Sequence, residues 1–187
     1  MVIMLSMSAK KKSSKIKVIS SKHIFTGPAF EVYSDVVREG EFTGRRDVVR
    51  HTGSIVILAV KKDKSVLLVR QYRHAAGQYL WELPAGRNDK KETNLRAAKR
   101  ELLEETGVSA KKWKRILSFY VSPGFLDETM DVFLAEGLTL GAAQPEEDEQ
   151  ITMRFVPLRE ALRWVNDRKI RDAKTIAGLL WLKTKTQ

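Results

Sequence analysis

The sequence predicts an α/β fold in which a mixed β-sheet lies between helices. Segments within the first 50 residues alternate apolar and polar side chains, as strands do. Residues 54–60 are nearly all apolar, as in a buried strand, and two stretches near the C-terminus carry apolar residues at helical spacing. At 187 residues the chain can form one well-buried core and is too short for two comfortable domains.

The chain is expected to divide into three regions. Residues 1–15 are predicted to form a disordered tail rich in lysine and serine, and Met7 is an alternative start. No secretory signal is predicted there, because the apolar piece precedes the positive charge and is too short. Residues 16–52 are predicted to form an N-terminal extension of strands, and residues 53–187 the main domain.

The remaining elements follow from periodicity and turn residues. Strands are expected over residues 16–25, 29–38, 46–50, 54–60, 66–69, 113–121, 129–138 and 153–156, and C-terminal helices over 158–165 and 172–182. A further helix is predicted over residues 93–107, where Thr93 or Asn94 can cap the start and Gly107 suits the left-handed residue at the end. Its predicted apolar stripe consists of Leu95, Ala98, Leu102 and Thr106.

Another face of this helix carries Glu101, Glu104 and Glu105, which lie within about one turn of each other. Such carboxylates repel one another and also face the negative pole of the helix dipole. A hard divalent cation such as Mg²⁺ or Mn²⁺, shared with substrate phosphates, would resolve both problems. The alternative is a solvated acidic helix end, which is the usual fate of a charge run. Spacing alone leaves both interpretations open.

The stretch from Gly86 to Val108 resembles the Nudix box, G-x5-E-x7-R-E-U-x-E-E-x-G-U, where U is a bulky aliphatic residue. The fixed positions are filled without a departure by Gly86, Glu92, Arg100, Glu101, Leu102, Glu104, Glu105, Gly107 and Val108. So many constrained positions at fixed spacing make a specific signal. The resemblance implies a Nudix-type α/β/α sandwich and Mg²⁺-dependent hydrolysis of a nucleoside diphosphate linked to another group.

The same resemblance implies roles for individual residues of the box. Metal ligands would be Glu101, Glu105, Glu104 and the carbonyl of Ala85. Glu104 is either a further direct ligand or a holder of metal-bound water. Arg100 would orient the carboxylates, and Glu92 would brace the loop.

Motifs outside the box resemble the ADP-ribose pyrophosphatase subgroup of the family. They are Arg45–Val49, Arg70–Arg73, Trp81–Gly86 and Ser122–Phe125. The last of these places a proline about 16 residues after Gly107, the second glycine of the box. The subgroup resemblance implies AMP and ribose 5-phosphate as products. Candidate substrate-binding residues are Arg46, Arg70, Arg73 and Glu128, and Glu128 could also face the metals. Arg70 and Arg73 lie at a strand end, where basic residues can bind phosphates, and the alternative is that they are ordinary surface charges.

A general base is expected outside the metal cluster. By resemblance to the subgroup, Glu147 in the acidic loop is the first candidate, with Glu149 and Glu146 as rivals. The alternative is that this loop is a flexible, solvated cluster of charges.

The subgroup resemblance also implies a homodimer in which N-terminal strands are exchanged. Phe25, Phe30 or Tyr33 could then stack on the adenine, although each is equally suited to packing in the core or interface.

Composition limits the remaining choices. The net charge of +11 raises the possibility of nucleic-acid binding, but many lysines lie in the tail and no aromatic interleaving accompanies the rest, so specific nucleic-acid binding is not expected. The chain has no cysteine, which suits the cytoplasm, and no apolar run long enough to cross a bilayer. Alternative functions are a Nudix pyrophosphatase for GDP-mannose or NADH and a non-catalytic nucleotide- or RNA-binding module.

Overall fold

A computed structural model describes residues 15–88, 92–141 and 152–186. The strands are β1 Lys17–Thr26, β2 Phe30–Glu39, β3 Phe42–His51, β4 Ser54–Ala59, β5 Ser65–Arg73, β6 Gln78–Glu82, β7 Ala85–Arg87, β8 Val108–Tyr120, β9 Thr129–Leu140 and β10 Thr152–Pro157. The helices are α1 Asn94–Thr106, α2 Leu158–Asn166 and α3 Ala173–Lys185, and a 3-10 turn spans His74–Ala76. The described residues form two compact units, one of residues 15–51 with 124–126 and one of the remainder.

The N-terminal unit is an antiparallel sheet in the order β1-β2-β3. Residues 124–126 join it through a hydrogen bond from the Val49 N–H to the Phe125 carbonyl. Strand β1 is exposed along its whole length, whereas β2 is mostly half-buried. The sheet therefore presents one edge strand that nothing in the described chain covers.

The larger unit contains the two sheets β7-β4-β9-β8 and β10-β5-β6. Strand β4 is parallel to β9 and antiparallel to β7, which makes the first sheet mixed, and the second sheet is antiparallel. Side chains of β4 alternate between two cores, as the period of a strand requires. Ile55 and Ile57 pack with α1, while Val56 and Leu58 pack with residues of α2 and α3. The predicted α/β/α sandwich with a mixed β-sheet and an N-terminal strand extension is thereby confirmed.

Local predictions were less complete where the elements are short. Strands β6 and β7 were not predicted, because Pro84 separates two extended segments too brief to show periodicity. Leu95 was predicted in the apolar stripe of α1, which is wrong: it is 37% exposed. The buried face instead includes Ala97 beside Ala98 and Leu102, which pack in one core with Ile55 and Ile57 of β4.

Candidate active site

Helix α1 begins and ends where its capping residues predict. The Thr93 side chain accepts a hydrogen bond from the Arg96 N–H at 3.4 Å. At the other end Gly107 has a φ of 66°, and its N–H donates to the Leu103 carbonyl at 2.8 Å. A glycine is favoured there because side chains strain the left-handed conformation. The acidic residues of the box therefore lie in the second half of a firmly bounded helix.

Arg100 is the hub of the acidic cluster. Its Nε and Nη2 donate to the same oxygen of Glu92 at 3.0 and 2.7 Å, and its Nη1 lies 2.9 Å from Glu104 and 2.8 Å from Glu101. Hydrogen bonding to Glu92 raises the pKa of Arg100, with Glu104 and Glu101 adding to the effect against the opposing influence of burial. A planar guanidinium that is always charged fixes carboxylate orientation better than a lysine could. The proposed orienting role of Arg100 and the bracing role of Glu92 fit these contacts.

Gly86 provides the space into which Glu101 fits. A methyl group added at Gly86 would lie only 1.9 Å from the Glu101 carboxyl carbon, far inside van der Waals contact. Gly86 and Ala85 belong to β7, which pairs with Ile55 and Val56 of β4. The Glu101 carboxylate is therefore pressed against the backbone of a strand held in the sheet, beside the residue whose carbonyl is the further candidate ligand.

Glu105 follows Glu101 by four residues and is only 6% exposed. A buried carboxylate is costly unless cations or hydrogen-bond donors compensate its charge. Among residues 15–88, 92–141 and 152–186, no three acidic or histidine side chains are grouped closely enough to hold a metal ion by themselves. The donor set nonetheless fits a divalent cation, because Mg²⁺ commonly takes one or two protein carboxylates and completes its sphere with waters and substrate phosphates.

The candidate phosphate ligands on β5 have different surroundings. Arg70 is exposed, and its guanidinium lies 4.8 Å from the centre of the Tyr79 ring. Arg73 donates from Nε and Nη2 to the two oxygens of Glu82, both at 2.8 Å. Hydrogen bonding to Glu82 raises the pKa of Arg73, and the negative charge of Glu105 contributes to the same shift. The substrate-binding role of both arginines stays a prediction.

The remaining predicted residues are distributed as follows. Arg46 lies on β3 in the N-terminal unit, where its Nη1 donates to the Arg45 carbonyl at 2.9 Å. Glu128 accepts a hydrogen bond from the Ser54 hydroxyl at 2.5 Å in the larger unit. Glu146, Glu147 and Glu149 lie outside the described residues, so the assignment of the base stays a prediction.

A chain of polar side chains beside the box was not predicted from the sequence. Asn88 donates to Asn94 at 2.7 Å, Asn94 donates to Asp131 at 2.5 Å, and Arg115 lies 3.3 Å from Asp131. Asn88, Asn94 and Asp131 border a cavity of about 30 Å³, large enough for a water molecule. They tie the start of α1 to β9. Only the cap position of Asn94 carried a local signal, because the other partners are distant in sequence.

The fold and the acidic helix together define a Nudix-type hydrolase scaffold. The family model for the NUDIX domain matches residues 49–178, and the chain belongs to the Nudix family. It is 38% identical over 177 residues to the ADP-ribose pyrophosphatase of Bacillus subtilis (strain 168), covering 93% of this chain and 96% of the relative. It is 39% identical over 170 residues to the ADP-ribose pyrophosphatase of Mycobacterium tuberculosis (strain ATCC 25618 / H37Rv), covering 88% and 81%.

A solved structure shares the fold at low sequence identity. The crystal structure of an ADP compounds hydrolase matches with a TM-score of 0.81 and 21% identity, covering 94% of this chain and 96% of that one. At this identity the match establishes architecture only. No helix in the described ranges is both long and apolar enough to span a membrane.

Proposed function

We propose that this protein is a Nudix pyrophosphohydrolase that cleaves the diphosphate of ADP-ribose, with AMP and ribose 5-phosphate as products. The observation that carries the proposal is the arrangement of the complete box. Glu101 is seated on Gly86, Arg100 binds three carboxylates, and Glu105 is buried on the same helix. The similarity to two relatives named ADP-ribose pyrophosphatase, over most of both chains, supports the substrate.

The proposed metal is Mg²⁺, with Mn²⁺ as an alternative, and it would be held by Glu101, Glu105 and the Ala85 carbonyl, with Glu104 as a further ligand or a holder of metal-bound water. Such a cation supplies charge screening for the diphosphate and lowers the pKa of a water nucleophile. Arg100 keeps the carboxylates of Glu101 and Glu104 oriented, so their repulsion is compensated before substrate arrives. Glu92 in turn fixes the guanidinium through two hydrogen bonds.

Proton removal and phosphate binding complete the proposed mechanism. Glu147 accepts the proton of the attacking water, with Glu149 or Glu146 as alternatives. Arg73 and Arg70 bind phosphate oxygens, for which a guanidinium offers parallel donors. Arg46 contacts the substrate, and Glu128, held by Ser54, positions the substrate or its metal.

A turnover panel tests this proposal against its alternatives. The purified chain is incubated with Mg²⁺ and with ADP-ribose, GDP-mannose or NADH, and the released mononucleotide is quantified with and without a chelator. We expect chelator-sensitive release of AMP, with the highest kcat/KM for ADP-ribose. Preference for GDP-mannose or NADH would assign a different Nudix pyrophosphatase. Tight nucleotide binding without turnover would favour the non-catalytic module. The cluster of mutually repelling carboxylates argues against that outcome, because a binding module does not need it.

We also propose that the protein is a cytoplasmic homodimer with exchanged N-terminal strands. Strand β1 exposes a set of large apolar side chains to solvent, which are Val18, Ile19, Ile24 and Phe25, and Ile16 just before it is exposed as well. Exposed apolar side chains on an edge strand favour association, because burying them adds a hydrophobic contribution to the pairing of free backbone groups. A second copy of the same chain is the partner that the subgroup resemblance implies.

Introducing charge on β1 tests the dimer. We expect a Val18→Asp and Ile24→Asp double variant to shift from dimer to monomer in size-exclusion chromatography with light scattering, because each carboxylate would have to be desolvated in the interface. Lys62→Asp, an exposed change in the turn before β5, should leave the mass unchanged. A wild-type chain that is monomeric at micromolar concentration would refute the homodimer.

A further inference from the structure

A buried ionic network joins helix α3 to the β5–β6 hairpin. Glu82 on β6 is 1% exposed, and it accepts two hydrogen bonds from Arg73 and one from Lys174 Nζ at 2.5 Å. Lys174 also lies 2.8 Å from Asp172. The four groups comprise two cations and two anions, so the network is neutral in total. Neither the sequence patterns nor the proposed roles in the box account for it.

The first turn of α3 is hydrogen-bonded to the residues that immediately precede the box. Asp172 caps the helix by accepting hydrogen bonds from the Thr175 N–H at 3.0 Å and its hydroxyl at 2.6 Å. The same Thr175 oxygen accepts from the Leu83 N–H at 2.7 Å. Gly178 permits this close approach, since a methyl group there would lie 2.7 Å from a Leu83 side-chain carbon. Side chains of α3 therefore hold Glu82 and Leu83, which are separated from Ala85 only by Pro84.

The two cations of this network differ in their exposure to solvent. The Lys174 side chain is 9% exposed and surrounded by its carboxylate partners, whereas that of Arg73 is 40% exposed. Burial by itself would raise the pKa of Glu82, but the hydrogen bonds from Arg73 and the charge of Lys174 outweigh it and hold the pKa below its ordinary value. Glu82 is therefore a charged acceptor that orients Arg73. Lys174 contacts Glu82 and Asp172, so its hydrogen-bonded connection to Arg73 runs through the Glu82 carboxylate.

We propose that Lys174 is a positioning residue for the diphosphate-binding arginine. With Asp172 behind it, Lys174 fixes one oxygen of Glu82, so that both carboxylate oxygens present a rigid, planar acceptor pair to Nε and Nη2 of Arg73. The guanidinium is then held in one orientation, with its remaining N–H groups available to substrate. This inference rests on the proposed function. It implies that the packing of α3 against β6 is required for substrate binding as well as for the fold.

Lys174→Met tests the inference, with Lys183→Met as a matched control on the exposed end of the same helix. We expect kcat/KM for ADP-ribose to fall about tenfold or more in Lys174→Met, mostly through a higher KM, because a misplaced binding group loses interaction energy with substrate. Lys183→Met should stay within about twofold of the wild type. Metal affinity, measured by titration of Mn²⁺, should be unchanged because the carboxylates of α1 are untouched.

The decisive readout is a double-mutant cycle with Arg73→Ala. If Lys174 acts through Arg73, Lys174→Met has little further effect on kcat/KM in the Arg73→Ala background. An equal fold loss in both backgrounds would overturn the positioning role and leave only a structural one. So would an unchanged kcat/KM in Lys174→Met, or in Arg73→Ala itself.

A second variant guards against unfolding. Lys174→Met alone leaves Glu82 with one cation, and an undercompensated buried charge can be strongly destabilising. The Glu82→Gln and Lys174→Met double variant removes both charges at similar volume and should fold, while still losing the charged acceptor for Arg73. A normal kcat/KM in this folded variant overturns the inference. Wild-type protein that fails to hydrolyse ADP-ribose would instead overturn the proposed function.

Discussion

Replacing Glu105 by glutamine should lower kcat for ADP-ribose hydrolysis by about 10²-fold or more. The carboxylate is 6% exposed on α1, one turn after Glu101, and the substitution removes its charge while nearly preserving its volume. A divalent cation would lose an anionic ligand, and with it much of the stabilisation of charge on the diphosphate. Steady-state turnover at saturating Mg²⁺, together with Mn²⁺ titration, measures the loss of activity and of metal affinity.

A matched control separates loss of the ligand from loss of one negative charge. Glu136→Gln makes the same chemical change on the exposed part of β9 and should leave kcat within about twofold of the wild type. The melting temperature of Glu105→Gln should stay close to that of the wild type, because glutamine nearly preserves the volume of the buried side chain. Near-wild-type turnover by Glu105→Gln would remove the assigned metal role.

The box could be predicted from the sequence because its determinants are local. A cap at Thr93 and a left-handed glycine at 107 bound the helix, and acids one turn apart fall on one face whatever the rest of the chain does. The same locality made the buried strand β4 recognisable. Because helices cover both faces of the sheet, successive side chains of β4 fall into two different cores.

The partners of the candidate site residues could not be predicted, because they are chosen by tertiary packing. Arg73 was predicted as a phosphate ligand, yet no pattern indicated that Glu82 would bind two of its nitrogens. Lys174 is 92 residues from Glu82 and reads as one more basic residue in a basic chain. The exposure of Leu95 has the same origin, since packing against β4 buries Ala97 instead.

The exposure of strand β1 is a second feature that could not be predicted from the sequence. Its alternation of apolar and polar residues predicted a strand, and the structure contains one. Alternation also predicts that one face is buried, but both faces are exposed in the described chain. A pattern selected for burial in an assembly looks the same as one selected for a core, which is why alternation predicted the strand and not its exposure.

Replacing Gly86 by alanine is the second change with a large expected effect. The added methyl would lie 1.9 Å from the Glu101 carboxyl carbon and 2.1 and 2.2 Å from its two oxygens. The backbone of β7 cannot retreat readily, because it pairs with β4 in the sheet. Glu101 must therefore move, which also disturbs its contact with Arg100. We expect kcat/KM to fall by about 10²-fold, as for misplaced catalytic groups elsewhere.

Ser109→Thr is the matched control, because it adds one methyl group at an exposed position of β8, where a β-branched side chain is well suited. It should retain wild-type turnover and metal affinity. Combining Gly86→Ala with Glu101→Gln gives the sharper test. If the alanine acts only by displacing the Glu101 carboxylate, the double variant should be scarcely less active than Glu101→Gln, since the group that the methyl displaces has already lost its charge. Fully additive losses would show that Gly86 serves the reaction by a route independent of Glu101.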